Sequence, residues 1–121
     1  MEVLNALVTK ANREMNSEDW LMVHLNLKTI NGTYEWNVRL CDRDEAFRLE
    51  EIMRYVGAKK LEEMAGKVLR VVIHNGELYG FGNPIEELFI SVFSDEEVRY
   101  RYSSATLKRL LEEYLKKKML W

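Results

Sequence analysis

A small set of aromatic, arginine and asparagine side chains carries the chemistry that this sequence suggests. Flat rings stack on nucleobases, and guanidinium groups bind phosphate oxygens through paired hydrogen bonds. A carboxamide offers one donor and one acceptor to the edge of a base. Phe81 lies between two glycines, so we expect an accessible face on its ring. The sequence therefore predicts a nucleotide pocket with six candidate ligand-binding residues: Trp20, Phe81, Asn83, Arg99, Arg101 and Arg109.

The residue types that catalysis or metal binding requires are sparse and separated. The two histidines, His24 and His74, are predicted to lie on a polar strand face and beside a turn, as surface residues. The single cysteine, Cys41, excludes an internal disulfide and is expected to be half-buried. Adjacent glutamates such as 50–51 do not face each other on a helix, so we interpret them as solvated surface. The sequence predicts no catalytic residues, no metal site and no cofactor, which argues against an enzyme.

Length, composition and charge define the class of protein. The chain has 121 residues, with 47% hydrophobic and 31% charged side chains, which is typical of one globular domain spanning residues 1–121. No apolar run approaches the roughly 18 residues of a membrane span. The formal net charge is −2, which argues against a duplex DNA-binding protein. Residues 99–121 nevertheless hold seven basic and two acidic side chains, which indicates either a solvated face or an anion site.

Two Asn-Gly dipeptides predict the β-hairpins that organise the fold. Asn31-Gly32 separates alternating strands at about 20–30 and 33–41, and as a type I′ turn it sets Leu25 opposite Val38 and His24 opposite Arg39. In the second hairpin, which turns at Asn75-Gly76, Ile73 is predicted to face Leu78. Gly80 and Gly82 are predicted to lie opposite Val71 and Leu69, leaving space for a packed side chain or for a ligand.

The remaining segments predict a further strand at each end of the hairpin region and two helices. The N-terminal segment alternates loosely and is predicted to pair with the first hairpin, and residues 88–93 form another predicted strand. Helices are predicted at about 43–57 and 103–118, with residues 94–102 compatible with either a strand or a helix. The predicted fold class is α+β, a mainly antiparallel sheet with both helices packed on one face.

Three segments resemble a widespread set of small phage proteins: the helix-to-Val-Gly segment Phe47–Gly57, its continuation Leu61–Val71, and Gly80–Phe89. The resemblance covers roughly residues 3–93, with a departure at Asn83-Pro84 and an extension over 94–121. Strand order, size and the final helix also resemble the Thoeris anti-defence signal-sponge proteins of phages. Those proteins are homo-oligomers that bind cyclic ADP-ribose isomers, and in some cases cyclic oligonucleotides, without cleaving them.

The resemblance implies a phage-encoded protein that sequesters a cyclic nucleotide immune signal in the cytoplasm of the host bacterium. It also implies a homo-oligomer. Two alternatives stay open at this level: a small phage module that binds a host protein, and a protein that binds single-stranded nucleic acid.

Overall fold

The computed structural model describes residues 1–93 and 101–119. Its strands are β1 (Glu2–Met15), β2 (Leu21–Thr29), β3 (Gly32–Arg39), β4 (Val68–His74), β5 (Glu77–Gly82) and β6 (Phe89–Ser91). Its helices are α1 (Arg43–Tyr55), a short 3-10 helix (Leu61–Met64) and α2 (Ser104–Met119). The strands form one antiparallel sheet in the order β3-β2-β1-β4-β5-β6. The predicted α+β class is confirmed.

The long strand β1 lies at the centre of the sheet and joins its two halves. Residues Glu2–Leu7 pair with β4, and residues from Leu7 to Met15 pair with β2. The pairing with β2 shifts by one residue between Val8 and Lys10, which is a β-bulge. The predicted N-terminal strand and its pairing with the first hairpin are confirmed.

The first hairpin keeps its predicted faces but differs in register. Leu25 pairs with Trp36 and His24 with Asn37, so the predicted partners Val38 and Arg39 are wrong by two residues. The cause is the side chain of Thr29, whose hydroxyl accepts the N–H of Asn31 and donates to the carbonyl of Gly32. These bonds close the turn one residue early. A two-residue slip leaves every side chain on the same face.

The second hairpin has the predicted turn, because Asn75 and Gly76 both adopt positive φ angles of 50° and 76°. Ile73 pairs with Leu78 as predicted. A register shift then sets Val72 opposite Gly80 and Arg70 opposite Gly82, so the predicted partners of both glycines are wrong. Packed atoms fill the space beside both glycines. A Cβ on Gly82 would lie 2.3 Å from the Phe89 ring, and one on Gly80 would lie 2.7 Å from the Ile90 carbonyl oxygen.

Helix α1 begins where the sequence predicts and ends at Tyr55, two residues before the predicted end. The Asp42 side chain caps it by accepting the N–H groups of Asp44 and Glu45. Gly57 follows the helix in the left-handed conformation, with φ of 71°. The Glu45 carboxylate also accepts the N–H of Arg39 at 2.6 Å, which ties the first turn of α1 to the end of β3.

The two helices pack on opposite faces of the sheet, so the prediction of a single covered face is wrong. Successive strand residues point to opposite faces. Val71 belongs to the core that includes Ile52 of α1, whereas its neighbour Val72 belongs to the core that includes Leu107 and Leu111 of α2. One helix on each face satisfies both sets of apolar residues.

Residues 88–93 contain the predicted strand, as β6. The strand-or-helix alternative for 94–102 falls mainly on residues 94–100, outside the described part of the chain. After that segment, Tyr102 exchanges two backbone hydrogen bonds of 2.8 Å with Phe89 and extends the sheet by one bridge. The chain therefore returns to the edge of the sheet before α2 begins.

Candidate functional site

Trp20 is the predicted site residue with the most accessible ring. It lies in the connection between β1 and β2, and 37% of its surface is exposed. The Arg39 guanidinium stacks over one face of the ring, 4.6 Å from the centroid, in a cation–π contact. Arg39 alternates along β3 with the buried Val38, so this pair lies on the sheet face opposite α1.

Phe81 and Asn83 have structural roles, in the core and in a turn. The Phe81 ring is fully buried and packs edge-on against Trp36 with centroids 4.8 Å apart, so the expected accessible face does not exist. The glycines beside it create no opening, because Phe89 and Leu107 lie against them. The side-chain Oδ1 atom of Asn83 accepts the N–H groups of Ile85 and Glu86, which forms the turn before β6.

Arg101 is engaged by a carboxylate of the same chain. Its Nε and Nη2 atoms donate to the two oxygens of Glu51 at 2.9 and 2.7 Å, a bidentate pair. Arg54 Nη1 adds a third hydrogen bond of 2.9 Å to Glu51. The interpretation of Glu51 as solvated surface is wrong, because its side chain is only 2% exposed. Two arginines compensate the cost of burying this charge.

Of the two remaining predicted phosphate ligands, the structure describes Arg109 alone. Arg109 is exposed on α2, and Arg99 lies outside the described residues. The described candidates are divided among the β1–β2 connection, the end of β5, the segment before α2, and α2 itself, and none of them lines either depression described below.

Tyr55 and Ser91 place two hydroxyl groups in buried positions beside α1 and β6. Burial and, second, the nearby Glu51 carboxylate raise the pKa of Tyr55 to about 12. The hydroxyls of Tyr55 and Ser91 have no hydrogen-bond partner within the described structure. Arg48, which is also buried, donates from Nε to the Ser91 carbonyl at 2.9 Å. This hydrogen bond from Arg48 joins α1 to β6.

A depression of about 290 Å³ lies between α1, the 3-10 helix and the first hairpin. Its floor is apolar and is formed by Val23, Leu40, Leu49, Met53 and Leu61. Its rim carries four charged side chains: Arg13, Lys59, Lys60 and Glu62. Within the described ranges these four have no ion pair, so their charges face solvent and are available to a ligand. We call this feature the α1 pocket.

A second depression of about 360 Å³ adjoins the α1 pocket, and the two share Met53 and Lys59. It is lined by the end of α1 and the residues that follow, with Glu50 and Arg54 on its rim. Ligand pockets of proteins typically measure about 300–1,000 Å³. The volume of the α1 pocket is therefore at the lower end of the range for ligand pockets. The adjoining depression gives a larger ligand room to extend.

The polar face of the first hairpin carries His24 in a network of its own. His24 Nε2 lies 3.0 Å from Glu14 Oε1, and Nδ1 contacts Asn37 and lies 3.6 Å from Glu35 Oε1. The prediction of a surface histidine agrees with this position, but its partners are Glu14 and Glu35. The described residues contain no cluster of His, Cys, Asp and Glu suited to a metal ion. Cys41 is exposed, so the expected half-burial is wrong.

No family model matches the chain, and no curated protein or solved structure is significantly similar to it. Among the described residues, no helix is long and apolar enough to cross a membrane. The class of protein is therefore a small α+β domain with an apolar pocket and a mainly basic rim.

Proposed function

We propose that this protein binds a nucleotide-like anion in the α1 pocket and sequesters it, as a phage-encoded anti-defence protein acting on a cyclic nucleotide immune signal. The observation that carries the proposal is the pocket itself, in which three basic side chains without partners surround an apolar floor. An apolar floor suits the flat face of a base, and Arg13, Lys59 and Lys60 suit phosphate oxygens.

Sequestration without cleavage agrees with the residues that line the pocket. The described lining holds no His, Ser, Thr or Cys that would serve as a nucleophile or as a general base near neutral pH. Glu62 is the one carboxylate of the lining, and its side chain is exposed. A bound ligand would meet charges that hold it and few groups that could attack it.

The pocket replaces the site that the sequence predicted. Arg101 is occupied by Glu51 and the Phe81 ring is buried, so neither is free to contact a ligand in this conformation. A cyclic dinucleotide is larger than the α1 pocket and would extend over Met53 and Lys59 into the adjoining depression. In the proposed homo-oligomer, a second copy covers the part of the ligand that one chain leaves exposed.

The test is a sequestration experiment with cyclic ADP-ribose isomers and cyclic oligonucleotides as probes. Protein incubated with a probe is separated from free ligand, heated, and the released ligand is identified by mass spectrometry. Recovery of intact probe supports sequestration, and a cleaved product indicates an enzyme. The Arg13→Gln/Lys60→Gln variant should bind at least about tenfold more weakly, since each hydrogen bond to a charged group contributes about 1.5–3 kcal/mol.

A matched control separates the pocket from the overall charge. The Lys67→Gln/Lys108→Gln variant also removes two exposed positive charges but lies outside the pocket lining. It should bind as the wild type does. Equal weakening by both variants, or no binding of any probe, contradicts the proposal.

Binding to a host protein is the second candidate, and an apolar patch favours it. Val3, Leu7 and Val68 are all substantially exposed. Leu7 and Val68 are direct partners across β1 and β4, and Val3 lies on the same face of the sheet, beyond the Asn5–Arg70 pair. Exposed apolar patches often mark protein interfaces. A Leu7→Asp variant that loses a host partner but keeps nucleotide binding would favour this candidate.

A further inference from the structure

Glu62 stands out on the rim of the α1 pocket because it is acidic among basic neighbours. The described structure gives its carboxylate no hydrogen bond and no ion pair. The adjacent Glu63 has a different role, because its Oε2 atom accepts the N–H of Lys59 at 3.2 Å and stabilises the start of the 3-10 helix. Glu62 lies in the first turn of the 3-10 helix, and its exposed carboxylate is open to a ligand in the pocket.

A carboxylate at this position affects which anions the pocket can hold. An anion whose polar groups are all acceptors would be repelled by Glu62, and that repulsion would offset part of the attraction of the basic side chains. A ligand that also carries hydroxyl groups can donate hydrogen bonds to the two carboxylate oxygens. A ribose phosphate carries both a negative charge and hydroxyl donors, whereas a fatty acid or an alkyl phosphate carries a negative charge alone.

We infer that Glu62 accepts hydrogen bonds from the hydroxyl groups of a ribose, and that it makes the α1 pocket selective for ribose phosphates over anions without hydroxyl donors. This inference rests on the proposed function, because it assumes an anionic ligand at the three basic side chains. Glu62 acts as a specificity-determining residue. It attracts the sugar hydroxyls and repels ligands that lack them.

The test compares adenosine 5′-monophosphate with its 2′,3′-dideoxy analogue by calorimetry on the wild type and on Glu62→Gln. Hydrogen bonds to charged groups contribute about 1.5–3 kcal/mol, and exposure at the rim reduces this, so the wild type should prefer the ribose form by about tenfold. In Glu62→Gln the ribose form should bind more weakly and the dideoxy form more tightly, so that the preference falls to about twofold or less. A purely structural role for Glu62 would change both affinities in the same direction.

Glu86→Gln is the matched control, because Glu86 is exposed on the loop before β6 and lies outside the pocket lining. It should keep the full ribose preference. Equal affinity of the wild type for both probes, an unchanged preference in Glu62→Gln, or failure of the wild type to bind the monophosphate overturns the inference. The sequestration experiment with cyclic probes tests the proposed function separately, so a failure of the inference can be distinguished from a failure of the proposed function.

Discussion

The ion pair between Arg101 and Glu51 joins an exposed side chain to a buried one. We therefore expect substitutions of the two residues to lower the free energy of unfolding by different amounts. The Glu51 side chain is 2% exposed and the Arg101 side chain is 41% exposed, although they share two hydrogen bonds. Removing Arg101 leaves a buried carboxylate with Arg54 as its cationic partner among the described residues. Removing Glu51 leaves a guanidinium that water can reach. An Arg101→Met variant should therefore lose more stability than a Glu51→Leu variant.

The magnitudes follow from that asymmetry. Breaking a buried ion pair from one side costs about 3–5 kcal/mol, and the remaining Arg54 places Arg101→Met near the lower end, at about 3 kcal/mol. Glu51→Leu should cost about 1 kcal/mol, because the apolar side chain fills the space and Arg101 becomes hydrated. The double variant should also cost about 1 kcal/mol, which gives a coupling energy of about 3 kcal/mol.

Urea unfolding followed by tryptophan fluorescence measures these differences. With a urea slope of about 1–3 kcal/mol per molar for a small protein, Arg101→Met should lower the midpoint by about 1–3 M. Arg54→Met is the control, since the Arg54 side chain is 62% exposed and its loss leaves the bidentate pair intact, for a cost below about 1 kcal/mol. A larger loss for Glu51→Leu than for Arg101→Met, or additive single and double effects, would refute the reasoning.

Three further changes have defined outcomes in the same unfolding assay. Gly80→Ala should cost about 1–3 kcal/mol, because its Cβ would lie 2.7 Å from the backbone oxygen of Ile90; an unchanged midpoint would contradict this packing. Ser91→Ala should leave stability unchanged or raise it by up to about 1 kcal/mol, because the buried hydroxyl has no partner in the described structure; a clear loss of stability would contradict this. The pKa of Tyr55 is raised from 10.0 to about 12, so the folded state holds that proton more tightly than the unfolded state. Its contribution to stability is complete below pH 10 and is lost as the pH rises through about 12. Midpoints measured across this range should fall less steeply for Tyr55→Phe than for the wild type, and equal slopes would be evidence against the shift.

Features set by neighbouring residues were predictable from the sequence. The Asn75-Gly76 turn, the Asp42 cap and the left-handed Gly57 each depend on contacts within a few residues. The register of the first hairpin was missed because the hydroxyl of Thr29 competes with the Asn-Gly preference for the turn. That competition is local. A side chain that can hydrogen-bond to the backbone just before an Asn-Gly pair therefore indicates that the turn can shift by one residue.

Features set by distant residues were not predictable in this way. Glu51 looked like a surface residue because its partner Arg101 lies fifty positions away in the chain. Part of the α1 pocket had a local signal, since Lys59 and Lys60 come shortly after the Gly57 that follows α1. Arg13 had none, because the bulge between Val8 and Lys10 decides which face of β1 it occupies.

The hydrogen bond from Arg39 to Glu45 has a consequence for the solubility of the folded chain. Strand β3 is the outermost strand on its side of the sheet, so its outward amide and carbonyl groups offer a template on which another polypeptide could add a strand. At Arg39 the amide is already occupied by a carboxylate from the next helix. A foreign strand extending to this point would have to displace that carboxylate, and the negative charge that remained nearby would discourage growth into fibres.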